Sequence, residues 1–173
     1  MSRSDAMAEA IIDETRFFTE LIPVAGADSE TGLNVMRAGR LLLDRTADYL
    51  RRAGMSEAQF NVLVVLESAP DGLVMCEVAR RMLVSRAGMS GVVKGLEGKG
   101  WVSRHPVPGD ARAWRLTATA SGLAALEAVL PEHFSHVHWA MSCLSNTEKA
   151  DLIRILTRLR GHLVAGRAAA GRR

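Results

Sequence analysis

Apolar residues recur at three- and four-residue spacings along most of the chain, the pattern of helices buried on one face. The first such stretch, residues 5–21, carries Ile11, Phe17, Phe18 and Leu21 and is stopped by Pro23, Gly26 and Asp28. A longer helix is predicted over 29–53, where Leu33, Met36, Arg40, Leu43, Ala47 and Leu50 share one mostly apolar face and Gly54 supplies the stop. Ser56-Glu57-Ala58-Gln59 is a capping box: the serine hydroxyl can accept from a backbone N–H while Gln59 reaches back to the cap. It opens a helix with Phe60, Leu63 and Leu66 on its apolar side, ended by the turn Pro70-Asp71-Gly72.

Residues 73–122 change period twice. A short helix over 76–82 turns Val78, Ala79 and Met82 inward, and Leu83-Val84-Ser85 connects it to a second helix from Arg86 to about Gly98, with Ser85 as its cap. On that second helix Ala87, Met89, Val92, Val93 and Leu96 point one way, and Arg86, Gly88, Ser90, Gly91 and Lys94 the other. After Gly100 the spacing becomes that of strands. Residues 101–106 read as one strand, 107–110 as a loop, and 113–118 as a half-buried strand with Trp114, Leu116 and Ala118 alternating with Ala113, Arg115 and Thr117. Two strands placed directly after a helix pair make a β-wing. Helices then resume behind Thr119 or Ser121. A long one carries Leu123, Leu126, Leu130, Phe134, Val137 and Met141 and is expected to bend at Pro131. A second capping box, Ser145-Asn146-Thr147-Glu148, opens a last helix with Leu152, Ile155, Leu156, Leu159 and Leu163.

Charge sharpens this picture more than composition does. The net charge of the 173 residues is only +3. Between Arg80 and Arg115, however, lie Arg80, Arg81, Arg86, Lys94, Lys99, Arg104, Arg112 and Arg115, opposed by Glu97 and Asp110 alone. A basic stretch in an otherwise acidic chain is a footprint for a polyanion. A helix fits the major groove of B-DNA, the first helix of such a pair braces the second, and the second presents its outer face to the bases. The expected DNA contacts are Arg86, Ser90 and Lys94 on an uncrowded face that includes Gly88, with Ser85 and the helix N-terminus for a phosphate. Arg112 is expected on a flexible wing loop, held by Asp110, and Arg104 and Arg115 on the strands are expected to touch the DNA backbone.

The stretches Glu77-Val78-Ala79-Arg80-Arg81, Val84-Ser85-Arg86-Ala87 and Val92-Val93-Lys94-Gly95-Leu96-Glu97-Gly98-Lys99-Gly100-Trp101-Val102 together resemble the winged helix of the MarR family of transcription regulators. Asp110-Ala111-Arg112 is similar to that family's Asp-x-Arg, and Thr119-Ala120-Ser121-Gly122 stands where the family has Thr-x-x-Gly. The resemblance covers roughly residues 30–163. It implies a mainly α fold with a small β-wing, a winged helix-turn-helix over 56–119 and a helical dimerisation lobe over 1–55 and 120–166, all in one domain with a frayed tail over 167–173. It also implies a homodimer that binds double-stranded DNA at a near-palindromic operator as a ligand-responsive repressor. An effector cleft between the lobes would take a small aromatic or lipophilic molecule, with Met36, Arg40 and Phe60 as candidate lining. Three departures stand out, one being an N-terminal segment, residues 1–28, that is longer than the family core needs. The second helix of the pair contains Gly88, Gly91, Gly95 and Gly98, and Ala118 replaces the family's usual leucine.

Other readings compete. His133, His136 and His138 on one helix raise metal sensing, though no nearby cysteine completes a site. Cys76 and Cys143 are far apart and read as buried, reduced packing thiols rather than redox sensors. A winged helix used for protein contact without DNA is a further alternative. No acid–base pair, nucleophile constellation or phosphate loop suggests an enzyme, and no cofactor or metal is expected. With neither a signal peptide nor a membrane-length apolar run in view, the expected location is cytoplasmic, with no membrane partner.

Overall fold

The computed structural model describes residues 26–82 and 86–170, leaving aside the side chains of 86, 87, 111, 112 and 167–170. The expected helix over 5–21 and the connection containing Ser85 therefore lie outside the described residues. Six helices and three short strands follow in the order α1 (Gly26–Arg52), α2 (Glu57–Glu67), β1 (Leu73–Val74), α3 (Met75–Arg81), α4 (Arg86–Gly98), β2 (Val102–Val107), β3 (Asp110–Ala118), α5 (Ala120–Met141) and α6 (Asn146–Ala170).

Local chemistry sets most boundaries. The Ser56 hydroxyl accepts from the Gln59 N–H at 3.2 Å and Gln59 Oε1 accepts from the Ser56 N–H at 3.1 Å, so the capping box forms in full. Ser145 and Glu148 repeat it at the start of α6, with Glu148 Oε2 accepting from the Ser145 N–H at 2.8 Å. The α1 and α4 helices end alike. Each is followed by a glycine with positive φ, Gly54 or Gly100, and the next N–H bonds back to a carbonyl of the last turn: Met55 to Leu50 at 2.8 Å, and Trp101 to Leu96 at 3.0 Å. Pro131 lies on the exposed side of α5 without ending it. The last helix continues to Ala170, into the segment expected to fray, because the Ala run there has the highest helix propensity of any residue.

The sheet is antiparallel in the order β1-β3-β2, with Leu73 opposite Leu116 and Val102 opposite Ala118. β1 is too short to show a period and was not expected. Gly72 leads into it at φ +75°, so close under β3 that a Cβ there would meet the Leu116 carbonyl oxygen at 2.5 Å. The expected wing loop is tighter than the sequence suggests. Val107 pairs with Asp110 around Pro108-Gly109, and Pro106 pairs with Trp114, so residues 111–113 form an irregularity in β3 itself. Arg112 thus belongs to a strand-borne bulge rather than a flexible loop, a device that re-aims a side chain.

One core holds α2 to β3 together with the ends of α1 and α5. It comprises Leu50, Phe60, Leu63, Leu66, Val78, Met89, Val93, Leu96, Val102, Leu116 and Leu126, among others. α6 contributes nothing to it and makes at most marginal contact with the other described elements.

Candidate nucleic-acid interface

The buried stripe of α4 is Met89, Val93 and Leu96; Gly88, Ser90, Gly91 and Lys94 are exposed, as their spacing requires. A Cβ on Gly91 or Gly98 would meet nothing within 4 Å, so that face is open. Lys94 pairs with no described residue. Arg86 lies in the first turn of α4 and Arg112 in the wing bulge, but their side chains are outside the description, as is the expected Asp110–Arg112 contact.

The remaining cations of the basic stretch are already engaged inside the fold. Arg80 grips Glu77 through two hydrogen bonds of 2.7 and 2.6 Å, and Arg81 adds a third at 2.9 Å. Those donors hold the Glu77 carboxyl down to about 2, so it stays ionised at any working pH and offsets one of the two charges. Arg104 stands opposite Leu116 on the helix-facing side of the wing, where it pairs with Glu97 at 3.2 Å and covers the Trp114 ring at 4.6 Å. Arg115 donates to the Gly72 carbonyl at 3.0 Å and so braces the turn before β1. Both strand arginines, expected to touch the DNA backbone, thus have a partner within the fold. Side chains on alternate faces of a strand have different neighbours, and here both faces supply acceptors.

Missed by sequence reasoning is the role of Lys99, which bonds to residues 40 and more positions away. Also missed is a polar cluster where α1, α2 and α5 meet. The Tyr49 hydroxyl and His133 Nδ1 are 2.6 Å apart, His136 stacks on Tyr49 at 5.1 Å, and the Phe60 and His133 rings lie 4.8 Å apart. Glu132 pairs with Arg52 beside them. Burial first, then His136, lowers the His133 pKa from its ordinary value. His133 and His136 are thus bound up with Tyr49, and no group of three metal-binding side chains comes together among the described residues.

The candidate effector residues separate. Phe60 is core, whereas Met36 is 71% exposed and Arg40, 75% exposed, pairs with Asp44 on its own helix. The helix itself forms as expected, but of the α1 face expected to be buried only Leu50 is core, while Met36, Arg40 and Leu43 are exposed. The two cysteines are corrected outright: both are exposed. Cys76 lies in the first turn of α3, and Cys143 lies in the connection between α5 and α6.

Residues 53–113 match the MarR family as a family. The chain is 36% identical to the HTH-type transcriptional repressor YetL of Bacillus subtilis over 62% of its own length and 65% of that protein's. It is 31% identical to the transcriptional repressor MprA of Escherichia coli over 70% of both chains. Its fold superposes on Sco3205 of Streptomyces coelicolor, a MarR family transcriptional regulator solved in complex with DNA, with a TM-score of 0.76 and 28% identity over 80% of this chain and 92% of that one. A braced helix with an open polar face, a three-stranded wing beside it and these likenesses agree, and the chain belongs to the MarR family of winged helix-turn-helix, DNA-binding transcription regulators.

Proposed function

We propose that the chain works in the cytoplasm as a homodimeric repressor that a small aromatic or lipophilic effector releases from a near-palindromic operator. The observation that carries the dimer is the uncovered apolar surface of the helical lobe. Among the described residues, every large exposed hydrophobic except Val64 lies on α1, α5 or α6, and Ile153 and Phe134 are 67% and 62% exposed. Patches of that extent meet a partner, and a second copy supplies the same three helices. Two-fold pairing would present two α4 helices to half-sites about one DNA turn apart.

At each half-site, Gly88, Ser90 and Lys94 with Arg86 would face the bases and phosphates of the major groove, Ser85 would bind a phosphate, and the bulge carrying Arg112, beside Asp110, would reach the adjacent backbone or minor groove. The engagement of Arg104 and Arg115 within the fold supports a positioning part for both. Met36 and Arg40 become candidates for effector lining once a partner's helices cover α1, and Phe60 remains a candidate from the core. No helix among the described residues is long and apolar enough to cross a membrane, which agrees with a soluble regulator.

The test is a salt titration of binding to the chain's own upstream DNA. Lys94→Ala and Arg112→Ala are each expected to weaken binding to all sequences and to lower the salt slope by about one. Wild-type affinity and slope in both variants would remove the helix-and-wing reading.

A further inference from the structure

The last turn of α4 is a meeting point of four elements. Lys99 turns its ammonium back from that turn and donates to the Gly54 carbonyl at the end of α1 and, at 2.9 Å, to Gln59 Oε1 at the start of α2. The same ammonium lies 4.6 Å over the Trp101 ring. Gln59 Oε1 already accepts from the Ser56 N–H as the far half of the capping box, so one amide oxygen ties both the α2 cap and the α4 terminus. A Cβ at residue 95 would stand 2.8 Å from Gln59 Nε2, so any side chain there would push that amide aside. From the other side, the Thr119 and Ser121 hydroxyls, at the start of α5, both donate to the Gly100 carbonyl, at 2.7 and 2.8 Å. Gly122 lets α5 press against the Trp101 carbonyl, which a Cβ would approach to 2.1 Å.

The groove-facing residues of α4 lie in its first two-thirds, while this bolt holds its far end. A rigid helix anchored at one end is aimed by that anchor. We propose that Lys99 is a positioning residue for sequence recognition. By tying the C-terminal end of α4 to the α1–α2 corner through Gly54 and Gln59, it sets the angle at which the helix meets the groove, without touching DNA. Since α1 and α5 belong to the helical lobe, the same junction would carry a rearrangement of that lobe to α4. The inference rests on DNA reading by α4 and not on the dimer.

A misaimed helix and a lost phosphate contact have different signatures. Specific binding depends on base contacts that tolerate little displacement, whereas binding to random duplex is electrostatic. The experiment measures affinity for a duplex selected from a random-sequence library, affinity for unselected duplex, and the salt slope of each. The wild-type ratio of the two affinities separately tests whether α4 reads sequence at all. Lys99→Met is expected to lower the selected-duplex affinity about tenfold, the size of one charge-assisted hydrogen bond, and to leave the unselected affinity and both slopes unchanged. Lys99→Arg, which keeps charge and donors, should restore most of the ratio. Gly95→Ala displaces Gln59 without altering charge or the groove face, and should lower the same ratio while the melting temperature holds or rises, since Ala favours the helix. This second variant decides the matter if Lys99→Met folds poorly. A salt slope lowered by about one in Lys99→Met would mean a direct phosphate contact and overturn the proposal. So would a wild-type ratio in Gly95→Ala.

Discussion

The two lobes of this chain solve the burial problem in opposite ways. The winged helix, with the adjoining ends of α1 and α5, closes within the chain: Leu63, Val78, Met89, Leu96 and Leu116 are wholly or almost wholly buried without help from another chain. The helical lobe does not. Leu152, Ile153, Ile155, Leu156, Leu159 and Leu163 on α6 all face outward, as do Leu41, Leu42 and Leu43 on α1 and Phe134 and Val137 on α5. The short elements of the winged helix surround one core, so each has neighbours on its apolar side. α6 is a long single helix leaving the end of α5 through a short connection, and among the described residues it has at most marginal contact with other elements. The difference is that one half of the fold is specified by intrachain packing, while the other leaves its apolar faces for the proposed dimer to cover.

Introducing a charge into the helical lobe should break the comparison most strongly. With Ile155→Asp and Leu159→Asp together, an unpaired charge would sit at each contact of the proposed dimer, the kind of change that costs more than about 4 kcal/mol. The expected result is a monomer by sedimentation, a winged helix that keeps its hydrogen-exchange protection, and loss of operator binding. A dimer of unchanged strength would place the interface elsewhere. Next in size is Leu116→Ala, which empties the centre of β3 and should cost about 2–5 kcal/mol. Its melting shift should not depend on protein concentration, whereas that of Leu163→Ala, 59% exposed within the chain, should. Equal concentration dependence in both would mean that the lobes do not differ as proposed.

The smallest effect comes from the seam between the lobes. His133 has its pKa lowered by burial and by His136, and its Nδ1 faces the Tyr49 hydroxyl, with Phe60 on α2 and the Arg52–Glu132 pair nearby. The folded state therefore resists a proton that the unfolded chain accepts near the ordinary histidine value of about 6.5. As pH falls below that value the unfolded state binds more protons, and stability is lost until the lowered folded value is passed. Melting curves between about pH 7.5 and pH 5.5 should show this decline, and His133→Gln should flatten that part of it. An identical pH dependence in the variant would assign the decline to other groups.

How much of this was legible beforehand depends on the range of the interaction. The capping boxes at Ser56 and Ser145, the stop at Gly54, the inward face of α4 and the alternation about Leu116 all rest on steps of at most five positions along the chain. They were readable, and they sufficed for a helix pair followed by a wing. β1 was not readable, because two residues carry no period and Leu73 needs Leu116 to become a strand. The wing irregularity at 111–113 was hidden because register belongs to a pair of strands and not to one.

What the sequence by itself determined, then, is the order and type of elements and the concentration of positive charge between Arg80 and Arg115. Backbone periodicity, capping and composition are local properties that survive without a fold. Tertiary structure alone decided which of those charges are spent: Arg104 on Glu97, Arg115 on the Gly72 carbonyl, and Lys99 on Gly54 and Gln59, leaving Lys94 exposed. It also decided that Met36 and Arg40 face outward. A partner's identity depends on which distant atoms the fold brings within hydrogen-bonding reach, and chain spacing carries no record of that distance.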